Sequence, residues 1–112
     1  MKQKEMYYEA VSRCKRICNV KKPNMRELHR FFTICGSLML IEGLDDAEFS
    51  VDIDSASGRA AVEVTSLCIS LCGEGLHRFA SAVANCDELT LRCAEDHVAA
   101  RFTVGGVVSV TA

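Results

Sequence analysis

The stretch Ala47-Glu48-Phe49-Ser50-Val51-Asp52-Ile53-Asp54 decides the fold. Ala47, Phe49, Val51 and Ile53 alternate with Glu48, Ser50, Asp52 and Asp54, and a period of two belongs to a strand with one buried face and one wet face. Ser55-Ala56-Ser57-Gly58 is turn material, after which Ala60, Val62 and Val64 resume the alternation against Ala61, Glu63 and Thr65. The pair reads as a β-hairpin. Leu67, Ile69 and Leu71 are apolar on the opposite parity, so the second strand either bulges near Ser66 or ends there.

Upstream of this ribbon the period lengthens to that of a helix. Met6, Tyr7, Ala10, Val11, Cys14, Ile17 and Cys18 recur at steps of three and four, predicting a helix from about Lys4 to Asn19. Pro23 interrupts it, because proline disfavours helix at the residue before it. Asn24 is a good N-cap for a second helix, and Glu27 stands three residues on, where it can complete a capping box. Leu28, Phe31, Phe32, Cys35, Leu38 and Met39 follow helical spacing, while Ile34, Leu40 and Ile41 add apolar surface on other sides. A helix end that is apolar nearly all round needs cover from the sheet and from either the first helix or another subunit. Gly43 is the expected left-handed stop.

Downstream, Gly73-Glu74-Gly75 opens a third helix with Leu76, Phe79, Ala80 and Val83 in step, ending around Asn85 to Asp87. Leu89, Leu91 and Cys93 then face one way and Thr90 and Arg92 the other; a Glu95-Asp96 turn returns the chain through Val98, Ala100, Phe102 and Val104. Gly105-Gly106 breaks that strand, and Val107 to Val110 allow one more. The order α-α-β-β-α-β-β-(β) predicts a two-layer α+β fold, an antiparallel sheet of about 4–5 strands with helices on one face. Its open face is acidic on the first hairpin (Glu48, Asp52, Asp54, Glu63) and basic on the second (Arg92, Arg101). Opposite charges on adjacent strands are worth roughly 0.2–1 kcal/mol per pair.

With 112 residues, 49% apolar and 25% charged, the chain suits one globular domain, residues 1–112. Charge divides it into a basic helical part, 1–44, and a β-β-α-β-β-β part, 45–112. Residues 1–30 hold nine of the 13 Lys and Arg and three of the 15 acids, a balance of +6. The rest of the chain stands at −8, for a net charge of −2. The seven cysteines cannot all pair within one chain, and Met-Lys-Gln-Lys-Glu-Met at the start lacks the apolar core of a secretory signal. Five of them (Cys14, Cys18, Cys35, Cys86, Cys93) take apolar positions, so reduced thiols packing as small hydrophobes are expected. Phe31 to Ile41 is too short to span a bilayer. A cytoplasmic protein is the reading.

Chemistry-bearing patterns are sparse. Cys14 and Cys18, with Cys68 and Cys72, hold enough thiolates for zinc but lack the short Cys-x-x-Cys knuckle. Cys72 before a helix N-terminus, with His77 soon after, is the least poor nucleophile and base pairing, against the plainer reading of a buried structural thiol beside a surface histidine. Asp52 and Asp54 share a strand face, an arrangement able to hold Mg²⁺, and a solvated face accounts for them as well. Gly73-x-Gly75 and Gly105-Gly106 are no phosphate loop, and His29 and His97 read as a helix-surface residue and a turn residue. No catalytic residue, metal or cofactor is assigned.

The strongest functional hint is basic. Arg13, Lys15, Arg16, Lys21, Lys22, Arg26 and Arg30 cluster around the joint between the first two helices. The expectation is a non-catalytic cytoplasmic protein-interaction or regulatory domain, homodimeric, with an unnamed protein partner meeting this patch. The alternative is a nucleic-acid accessory protein that binds phosphates through the same residues, and a third is a thiol- or metal-dependent protein.

Overall fold

In a computed structural model the described residues are 1–110. Helix α1 runs Gln3–Cys18 and α2 Met25–Met39. Strands β1 (Glu48–Asp54) and β2 (Arg59–Ser66) follow, then α3 (Gly73–Asn85), β3 (Glu88–Cys93) and β4 (Val98–Val104). The strands form one antiparallel sheet in the order β1-β2-β4-β3, with the three helices on one face. This is the α+β architecture expected from the two periodicities.

The inner face of the sheet carries Phe49, Val51, Val62, Val64, Ala100, Phe102 and Val104, all buried. Against it α2 lays Leu28, Phe31, Ile34, Cys35 and Leu38, and α1 adds Met6, Ala10 and Cys14. α2 is the middle helix, flanked by α1 over β1 and by α3 over β4. Residues of the basic helical part and of the β-rich part therefore share one core.

The apolar end of α2 is covered from inside the chain. Ile34, Leu38 and Ile41 are buried, Met39 is half-buried, and only Leu40 stays largely in water, at 53% exposure. The sheet, the first helix and α3 supply that cover, with Gly75 of α3 set against Ile41, and a second subunit is not required there.

Local signals behave unevenly. The turn at 55–58 forms as expected, with the Asp54 carboxylate accepting from the Ala56 N–H (2.9 Å) and the Ser57 hydroxyl (3.0 Å). β2 ends at Ser66 without a bulge, and 67–72 is irregular. The capping box at α2 does not form. The Asn24 N–H that Glu27 was to accept from already donates to the Val107 carbonyl at 2.9 Å, and Glu27 turns to Arg30 instead. α2 stops at Met39, ahead of Gly43, whose φ of +90° belongs to a later turn. The carbonyls of Leu38 and Ile41 receive the Gln3 side-chain amide, each at 2.7 Å, which satisfies orphan acceptors at that helix end.

Among the described residues no fifth strand joins the sheet. Val107 and Val108 are buried and stitch the helix joint to the β1–β2 turn: Val107 N–H donates to Gly58 O (2.8 Å) and Ser109 N–H to Lys22 O (2.8 Å), while Val108 bridges Pro23. Gly58 is required at this crossing. Its φ is +73°, and a Cβ there would stand 2.5 Å from the Val108 carbonyl oxygen.

Candidate interaction surface

The two edges of the sheet differ. At β1 the outer edge is occupied: Phe49 N–H donates to Met1 O (2.8 Å), Met1 N donates to Phe49 O (3.0 Å), and Arg13 Nη1 reaches Val51 O (2.6 Å). At β3 the Ala94 N–H donates to His97 O across the turn at 2.9 Å, which sets the alternation along the ladder. Thr90 and Arg92 thus direct their backbone groups at β4, and Leu89, Leu91 and Cys93 direct theirs outward. Among the described residues nothing bonds to that outward row.

The same residues are apolar. Leu89 and Leu91 stand opposite Phe102 and Ala100, on the side of the sheet where the helices lie. The helices cover Leu89 in part and leave Leu91 open. α3 packs on β4, with Phe79 meeting Phe102 edge to face at 5.4 Å, and its Ser81 hydroxyl lies 3.5 Å from that of Ser37 on α2. Val83 and Leu76 fall roughly 140–200° round the helix from Ser81, on the flank turned away from α2. Leu91 is accordingly 61% exposed, Leu76 53% and Val83 37%. An apolar flank and an unpaired strand edge meet at one side of the molecule. Such an edge is a template for another strand unless it is blocked.

The outer face of the sheet is a charge lattice. Glu63 stands directly opposite Arg101, whose guanidinium also reaches Asp52 at 3.2 Å, and Arg92 closes on the other side of Glu63. The acidic first hairpin and basic second hairpin are neighbours through β2 and β4, and the pairing expected from opposite charges is made. Asp52 is thereby engaged by Arg101 and Asp54 by its turn.

The seven basic residues at the helix joint have unequal fates. Arg30 pairs with Glu27 and with Asp87 (2.8 Å), and Arg13 with Glu9 (2.7 Å) as well as Val51 O. Arg16 lies 3.8 Å from the same Glu9, and Arg26 3.8 Å from Glu27. Lys21 donates to Val110 O at 3.3 Å. Lys15 and Lys22 are exposed. Arg13 and Arg30 thus hold elements together, while Lys15, Arg16, Lys22 and Arg26 project outward around the joint.

Two of the seven thiols, Cys14 and Cys35, are inert by position. Burial, with Cys18 nearby, pushes the Cys14 thiol up to about 12, and burial beside Cys14 pushes Cys35 up as well. A thiol so placed is protonated at neutral pH and is a poor nucleophile. Cys72 and His77 are both exposed, and no hydrogen bond joins them among the described residues. No group of three or more His, Cys, Asp or Glu among the described residues is arranged to hold a metal ion.

No family model, curated protein or solved structure matches this chain. The open edge was also beyond reach of the sequence pattern, which set Leu89, Leu91 and Cys93 on one face; Leu89 does pack against the core, while Leu91 and Cys93 are exposed. Their alternation is that of a covered strand, and only the strand order shows β3 at the margin with its helix set back.

Proposed function

We propose that the protein is a non-catalytic cytoplasmic interaction domain that acts through protein contacts and is a homodimer. One observation carries this reading: exposed Leu76, Val83 and Leu91 coincide with an edge strand whose outward backbone groups have no partner among the described residues. An apolar patch beside an unpaired edge favours a protein surface, which supplies both backbone groups and side chains, over a small ligand. Nucleic acid is less favoured, because Arg13 and Arg30 are committed to carboxylates within the chain and the net charge is −2. Light scattering at micromolar concentration tests the proposal. A mass near twice 12.3 kDa is expected, and a monomer throughout that range overturns the homodimer. Salt-sensitive retardation of nucleic acid, lost in K15E/R16E, would favour the alternative reading.

A further inference from the structure

Resting on the homodimer reading, we propose that two copies join through β3, antiparallel to the same strand of the partner about a two-fold axis at Thr90, into one continuous sheet. The first support is geometric. A two-fold axis perpendicular to the sheet keeps helix side on helix side, so residues that face each other must share parity. The outward backbone groups belong to Leu89, Leu91 and Cys93, so the new ladder must hydrogen-bond through these.

The second support is charge, and it selects the register. With the axis at Thr90, Leu89 lies opposite the partner's Leu91 and exchanges both backbone hydrogen bonds with it. Glu88 then lies opposite the partner's Arg92 on the outer face, and symmetry makes the pair twice. Glu88 has no cationic partner within its own chain among the described residues, whereas Arg92 is exposed beyond its contact with Glu63. Moving the axis to Leu91 sets Glu88 against an alanine, and moving it to Arg92 sets two guanidiniums face to face. Only the Thr90 register makes the strand complementary to itself.

The third support is the flank. A six-residue strand alone is a small interface, and stable contacts bury about 1,200–2,000 Å² in total. In this arrangement the exposed Leu76 and Val83 of α3 lie on the same side as Leu91 and are brought toward their symmetry mates, so sheet and helix layers both continue across the axis.

A charge swap tests the interface, with dimer dissociation measured by sedimentation equilibrium and folding by circular dichroism. E88R sets cation against cation and R92E carboxylate against carboxylate, and each is expected to weaken the dimer by about tenfold. E88R/R92E restores the intermolecular pair in reversed sense and is expected to return affinity to within about threefold of wild type. The double variant still lacks the contact between Arg92 and Glu63, so its recovery reports the partner and not the fold. L91K, at a position already exposed, is expected to give a folded monomer. A wild type that is monomeric up to about 100 µM overturns the homodimer reading and this interface together. A dimer unaffected by E88R, R92E and L91K overturns the interface alone, and single-variant losses without recovery in the double overturn the Thr90 register.

Discussion

Arg30 in α2 and Asp87 at the entrance to β3 form an ion pair at 2.8 Å, and the other Asp87 oxygen accepts the Gly105 N–H at the exit of β4, also at 2.8 Å. One carboxylate thereby fastens the middle helix to both ends of the second hairpin. The Gly105 N–H and then Arg30 hold its pKa below the ordinary Asp value.

The pH dependence of stability follows with a definite sign. A carboxylate with a depressed folded pKa contributes stability that is complete above its unfolded value, about 3.9, and disappears as pH falls through the folded value. Glu48, held low by the Met1 amine and Lys2, and Asp54, held low by the Ala56 N–H and Ser57, act in the same direction. Urea unfolding is expected to show stability falling from about pH 4 downward. D87N is expected to cost about 1 kcal/mol at pH 7, a modest figure because the side chain is half in solvent, and less as the pH is lowered towards about 2. A gap of equal size at both pH values would contradict the assigned pair.

Gly58 and Gly43 separate backbone conformation from packing. Both have positive φ, but a Cβ at Gly58 meets the Val108 carbonyl oxygen, whereas one at Gly43 meets nothing within 4 Å. G43A is expected to cost about 1 kcal/mol for the left-handed conformation alone. G58A is expected to cost about 2–4 kcal/mol, since the crossing that ties 107–109 to the hairpin must shift. Equal midpoints in chemical denaturation would remove the packing argument.

Much of the fold was written in local rhythm. Phe49 to Ile53 and Ala60 to Val64 alternate because they lie on a sheet with one wet face, and Leu28 to Met39 repeat at helical steps because α2 packs on that sheet. Strand order was not written there, since hairpins dictate their own neighbours and leave the joining of β2 to β4 to tertiary packing. The open edge at Leu91 followed from that order. The same limit applies to caps: Glu27 had the spacing of a capping box, and a carbonyl more than 80 residues away, Val107 O, took the donor. The basic cluster was visible as charge, but the commitment of Arg30 to Asp87 was a distant contact no spacing could show.

Gln3 offers a test of a contact between helices. Its amide donates to both Leu38 O and Ile41 O at 2.7 Å, in partly buried surroundings. Removing the side chain leaves carbonyls short of donors, and Q3A is expected to cost about 1–3 kcal/mol. Hydrogen exchange should show the loosening concentrated at the end of α2 and at the start of α1. A stability change under about 0.3 kcal/mol would mean that water replaces the amide without loss.

The cysteines give a final prediction that bears on chemistry and association together. Cys68, Cys72 and Cys93 are exposed, while Cys14 and Cys35 are buried with raised pKa. Alkylation of native protein is expected to modify Cys68 and Cys72 at the rate of an ordinary free thiol, and Cys14 and Cys35 only on unfolding. Cys72 reacting more than about tenfold faster than Cys68 would instead point to a nucleophile activated beside His77. Cys93 lies on the proposed contact strand, so its rate should match that of Cys68 in dilute L91K and fall in concentrated wild type. The fall should follow the dimer fraction measured by sedimentation, because protection then comes from the partner strand and not from the fold.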